Sequence, residues 1–188
     1  MVSKLLFLLY QSGLWFVDIF QDSTSHPRHP GKFVQGINFG GPALTIEGDR
    51  WLSLGEGLTR GLTISDLQTA RSYVRPNPST TYSITKMLNT GAFKAKVLTL
   101  QQSLPDGPYD LYLWLMENYR SDWHSLQVSA GDQVIAPAIG QLKLGHWARY
   151  GPYRVMVEEG GLKLTLTSNT PADTHLMGLS IFAVDPAT

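Results

Sequence analysis

The segment Glu117-Asn-Tyr-Arg-Ser-Asp-Trp-His124 brings two carboxylates, a guanidinium, an imidazole, an amide and two aromatic rings together in one short stretch. Two chemistries could use such a set. One is recognition of a sugar: a Tyr or Trp face packs on the apolar C–H face of a pyranose, while Asn, Asp or Arg takes its hydroxyls. The other is proton transfer. Glu117 ends the apolar run Tyr109–Met116, and burial there would raise its pKa toward that of a general acid. Glycoside hydrolysis needs a second carboxyl group about 5–5.5 or 6.5–9.5 Å away, and Asp122 and Asp173 are the candidates. The favoured role for Glu117 is structural: it pairs with an Arg or accepts backbone N–H groups and so closes the strand. Glu158-Glu159, at a Gly-Gly turn, reads as a solvated pair.

Other reactive signatures are sparse. The sequence has no G-x-S-x-G, H-E-x-x-H, G-x-G-x-x-G or phosphate loop. Asp122-x-His124 and Asp173-x-His175 are loose pairs of the kind that make local hydrogen bonds in loops. Loop carboxylates can also hold calcium, but no metal and no cofactor is assigned. Without Cys there is no disulfide, thiolate zinc site or Cys nucleophile. The 15 basic residues balance 15 acidic ones, which argues against nucleic acid as a partner. Leu67–Pro105 carries five basic residues and no acid, suiting an anionic ligand or, more simply, a solvated face.

These residues must be held by strands. Leu162–Thr167 alternates apolar with polar, the period of a half-buried strand, and Phe93–Leu100 begins the same way. Tyr109–Met116 is apolar on both faces, so it is expected at the centre of a sheet covered on both sides. Tyr153–Val157 and Leu176–Val184 are further core strands, and Gly36–Phe39 and Ser125–Ser129 shorter ones. Pro105-Asp-Gly-Pro108, Ala130-Gly-Asp132, Gly151-Pro152 and Glu159-Gly-Gly161 supply turns. One or two helical turns are expected over Ile64–Ser72, capped by Ser65 or Asp66. Many short strands between turns indicate a sandwich or barrel. Leu111, Leu113, Leu115, Val155, Val157, Leu164, Leu166 and Ile181 are the expected core.

The 188 residues divide into an N-terminal segment, 1–32, and a domain over 33–188. Leu5–Phe20 is largely apolar behind a basic start. It suits a secretory signal or anchor, or an ordered strand or strand-donating arm, and residues 21–32 form a polar linker.

The order of segments resembles the malectin-like carbohydrate-binding family, a branch of the galactose-binding-like β-sandwiches. Gly36-Ile-Asn-Phe-Gly-Gly41 with Ile46-Glu-Gly48 looks like its opening strand and turn. Thr81-Tyr-Ser-Ile-Thr85 resembles its L-Y-x-T stretch, and Gly107–Glu117 its G-x-Y-x-V-x-L-x-F-x-E strand. Asp173–Phe182 resembles its closing loop and strand. The likeness spans roughly 34–184, with Leu115 in place of the family's Phe and Tyr119-Arg120 in place of an aromatic pair. It implies an all-β, antiparallel jelly-roll sandwich and sugar contacts at Tyr82, Tyr119 and Asp173, with Tyr73 near a further family Tyr. Asn118, Arg120 and Trp123 join them on chemical grounds. The expectation is a non-catalytic, extracellular or cell-surface module that binds an oligo- or polysaccharide. Two alternatives stand beside it: an assembly subunit that self-associates through residues 5–20, and a glycoside hydrolase using Glu117.

Overall fold

The computed structural model describes residues 31–184. The apolar run 5–20, and with it the signal, anchor and strand-exchange readings, lies outside the described residues.

Fourteen strands and two short helices are described: β1 (Lys32–Asn38), β2 (Leu44–Ile46), β3 (Asp49–Ser53), α1 (Leu54–Leu58), β4 (Leu62–Ile64), β5 (Gln68–Arg71), α2 (Tyr82–Leu88), β6 (Thr90–Lys94), β7 (Val97–Ser103), β8 (Gly107–Met116), β9 (Leu126–Ala130), β10 (Gln133–Ile139), β11 (Trp147–Val157), β12 (Gly161–Ser168), β13 (Thr174–Leu176) and β14 (Gly178–Ala183). One sheet runs β11-β8-β14-β1-β3-β2 and faces a second, β10-β9-β12-β7-β4, while β13-β6-β5 form a small third sheet. Every strand pairing is antiparallel except that of β1 with β3. This is the expected antiparallel β-sandwich, and all eight expected core residues are buried in its centre.

The length and apolar content of β8 place it inside its sheet, between β11 and β14. Leu111, Leu113 and Leu115 are fully buried on one face. The other face carries Tyr112, Trp114 and Met116, also buried. Trp147 stacks on Trp114, Trp51 meets it edge-on, and the Arg149 guanidinium covers Tyr112. Trp51 reaches Trp114 by lying across β1 and β14 at two glycines. A Cβ at Gly178 would come within 2.9 Å of the Trp51 ring, and one at Gly36 would overlap it.

Three local expectations are corrected. Residues 64–72 do not form helix: Leu62–Ile64 and Gln68–Arg71 are strands. All four residues of β5 are exposed and its order comes from backbone pairing with β6, so no hydrophobic period marks it. The helix lies instead at Tyr82–Leu88. Thr81 caps it by accepting from Ile84 N–H, and Ile84, Met87 and Leu88 are buried, the i, i+3, i+4 spacing of an inward helical face. Finally, Phe93–Leu100 and Leu176–Val184 are each two strands. Lys96, at φ 63°, turns the chain from β6 to β7 and so from the third sheet to the second. The chain likewise leaves β13 in the third sheet after Leu176 and enters β14 in the first.

Candidate functional site

Where β8 ends, Glu117 anchors two loops. Its backbone N–H donates to His146 O (2.9 Å) and its carbonyl accepts from Gly145 N–H (2.8 Å). These bonds tie the chain leaving β8 to the loop before β11. Asp122 N–H donates to Leu142 O and the Asp122 carboxylate pairs with Lys143, a second strap between the same loops.

The Glu117 side chain is fully buried. Its Oε1 accepts from the backbone N–H groups of Tyr119 (3.0 Å) and Arg120 (3.1 Å). Its Oε2 accepts from His124 N–H and lies 2.9 Å from His124 Nδ1. Burial alone would raise its pKa, but the His124 ring and the N–H groups of Tyr119 and Arg120 outweigh it, and the net direction is down. The raised pKa expected of a general acid is therefore corrected: Glu117 is an ionised acceptor around which residues 118–124 are wrapped. Of the two structural roles expected for it, accepting backbone N–H groups is the one observed, with His124 in place of an Arg.

His124 continues the chain of contacts, with Nε2 3.2 Å from Asp173 Oδ1. The His175 ring, on β13, packs against the His124 ring with centroids 3.9 Å apart. His175 is only 5% exposed, and its Nε2 has no hydrogen-bond partner among the described residues. Burial, reinforced by the neighbouring His124, lowers its pKa to about 3, so the ring is neutral. In the sequence His124 belongs to the reactive loop segment, whereas His175 is marked only by the loose Asp173-x-His175 pair. Among the described residues, no group of three or more His, Asp or Glu side chains is disposed to hold a metal ion.

Above this network is a pocket of about 340 Å³. Ala70 of β5, with Gly91, Ala92 and Phe93 of β6, forms one wall, and Asn118, Tyr119, Trp123, His124 and Asp173 form the other, with His175 and Met177 between. Four of the seven expected contact residues thus meet here: Asn118, Tyr119, Trp123 and Asp173. Arg120 does not line the pocket, but its guanidinium lies 3.8 Å from the Trp123 ring centroid. Tyr119 packs against Trp123 in turn, at 5.8 Å and 54°. Tyr73 and Tyr82 lie outside the lining. Tyr73 is 94% exposed just past β5, and Tyr82 is 73% exposed at the start of α2 with Lys86 over its ring. Asp122 is not part of the pocket.

No protein-family model and no curated protein sequence matches the chain. Solved structures do. A Bacteroides uniformis β-glucuronidase matches at a TM-score of 0.67 and 11% identity, over 80% of this chain and 18% of the glucuronidase. The ANXUR2 extracellular domain from Arabidopsis thaliana matches at 0.66 and 15% identity, over 81% of this chain and 49% of that one. The plant receptor-like kinase FER matches at 0.61 and 17% identity, over 81% and 42%. The chain thus spans about a fifth of the glucuronidase and up to about half of the receptor structures. Among the described residues no helix is long and apolar enough to cross a membrane. At these identities the likeness concerns architecture, and it places the chain among β-sandwiches of malectin-like or galactose-binding-like fold.

Proposed function

We propose that the pocket binds a carbohydrate without catalysing a reaction on it, as part of an extracellular or cell-surface protein. The carrying observation is the Tyr119–Trp123–Arg120 ladder beside the Asp173 carboxylate at one opening. The rings offer apolar faces to a pyranose, and Asp173 and Asn118 offer groups for its hydroxyls. Tyr119 is 68% exposed, so its face is available without rearrangement. The volume lies in the range of about 300–1,000 Å³ usual for small-ligand sites. Tyr73 and Tyr82, outside the lining, would meet further residues of a longer glycan. The proposal is non-catalytic because Glu117, the carboxylate best placed on chemical grounds, is sealed from the pocket and held ionised by its hydrogen bonds. The extracellular setting draws support from the ANXUR2 likeness.

Stripping water from hydroxyls and from Asp173 offsets much of the stacking gain, so dissociation constants of roughly micromolar to millimolar are expected, about −8 to −4 kcal/mol. A glycan array followed by isothermal titration tests the proposal. Tyr119→Ala and Trp123→Ala should each weaken binding about tenfold or more, since one stacked ring contributes about 1 kcal/mol beyond its burial. Tyr82→Ala should affect oligosaccharides but not single sugars. Unchanged titrations for both Tyr119→Ala and Trp123→Ala would refute the site.

A further inference from the structure

Glu117 settles more than the loop conformation. Its ionised carboxylate can only accept hydrogen bonds, so the His124 Nδ1 2.9 Å from it carries a hydrogen. A neutral imidazole has one N–H, and that one is already committed. Nε2 would then present a lone pair to Asp173 Oδ1 at 3.2 Å, two acceptors face to face. One more proton resolves the contact, either on Nε2, donating to Asp173, or on Asp173, donating to Nε2. We propose that His124 and Asp173 share a single labile proton at the pocket wall, and that ligand binding through Asp173 is linked to its presence.

The surroundings restrict that proton to this pair. From the end of β8 comes Glu117, and from β13 comes His175, whose ring stays neutral until about pH 3. From the loop itself come Arg120, whose guanidinium lies on Trp123, and Asp122, whose carboxylate pairs with Lys143. From β6, Lys94 sits opposite Thr174 through backbone pairing and makes no ion pair with any described residue. With the proton present, His124 donates to Oδ1 and orients an ionised Asp173, leaving Oδ2 for a ligand hydroxyl. When rising pH removes it, the Nε2 lone pair repels Oδ1. Asp173, with its side chain 38% exposed, is no longer held toward the pocket. Binding therefore weakens as the proton leaves on the alkaline side. His124 acts here as a positioning residue, setting the orientation and charge of the group that touches ligand.

The link to ligand rests on the carbohydrate reading, whereas the shared proton does not, and the test separates them. Nitrogen-15 spectra of the histidine rings of the full chain, without sugar, should show Nδ1 of His124 protonated throughout. Its Nε2 should lose a proton as pH rises, and Asp173→Asn, which removes the acceptor charge beside it, should move that loss toward acid. A bare Nδ1, or the same curve in Asp173→Asn, overturns the shared proton. In the second arm, the sugar retained on a glycan array at about pH 6 is titrated again with that proton removed. Binding about tenfold weaker in the wild type, with the dependence lost in Asp173→Asn, supports the linkage. Binding that ignores pH overturns the linkage and leaves the carbohydrate reading standing. No sugar bound at either pH, with the ring spectra as expected, overturns the carbohydrate reading and the linkage together but not the shared proton.

Discussion

Acidification should destabilise this fold through His175, by an amount that follows from its burial. The ordinary pKa of the ring is 6.5 and the folded value about 3. The unfolded chain therefore takes up a proton below 6.5 that the folded chain refuses until about pH 3. Stability contributed by the neutral ring is complete above 6.5 and is lost as pH falls toward 3. Each pH unit between those limits costs about 1.4 kcal/mol, so about 2 kcal/mol is gone by pH 5. For a domain of this size that is a fall in Tm of about 4–8 °C relative to neutral pH. Other groups titrate in the same range, so the informative quantity is the difference between wild type and His175→Leu, which keeps the volume and removes the titrating group. Urea unfolding of both proteins across this pH range measures it. The variant should gain on the wild type by about 2 kcal/mol between neutral pH and pH 5. A wild type–variant difference that stays constant with pH would refute the reasoning, because it would mean that the buried ring takes up protons as freely as the unfolded one.

Glu117→Ala should leave the N–H groups of Tyr119, Arg120 and His124 without their acceptor. The expected loss is about 3 kcal/mol or more in denaturant unfolding, with faster amide exchange confined to residues 118–124. Gly178→Ala drives a methyl against the Trp51 ring and Met87. Urea titration should show a loss of about 1–3 kcal/mol and near-ultraviolet circular dichroism a change in the Trp signal. Thr81→Ala removes the cap of α2 and should cost about 1 kcal/mol, visible as a lower melting temperature.

Legibility from the sequence followed the physical signal each element carries. β8 and β12 were readable because one is apolar throughout and the other alternates. The core positions on them, with Val155, Val157 and Ile181, follow directly. β5 was unreadable because its four residues bury nothing. α2 carried a usable signal, a Thr cap before Ile84, Met87 and Leu88, that the neighbouring Ser and Thr residues hid. Each of the two divided strands reads as one because apolar character continues through the change of sheet, and only the backbone of Lys96 marks the first of them. At the site, Asn118, Tyr119 and Trp123 were legible because they share one loop after a buried strand. Asp173 came from the family resemblance. The opposite wall was not legible, since Ala70, Gly91 and Ala92 form the hollow by having little side chain to show. The burial of His175 has no sequence signal, because a three-residue strand buried along its whole length has no period to detect.

The pairing of β1 with β14 sets Lys32 opposite Ala183, and neighbouring antiparallel residues lie only about 5 Å apart. Entry to and exit from this β module therefore form a single doorway at one end of the two central strands of the larger sheet. A host polypeptide could carry the unit as an insertion in a surface bend, with no spacer longer than a tight loop. Transplanting residues 31–184 into such a bend of an unrelated carrier should accordingly disturb neither partner's melting behaviour.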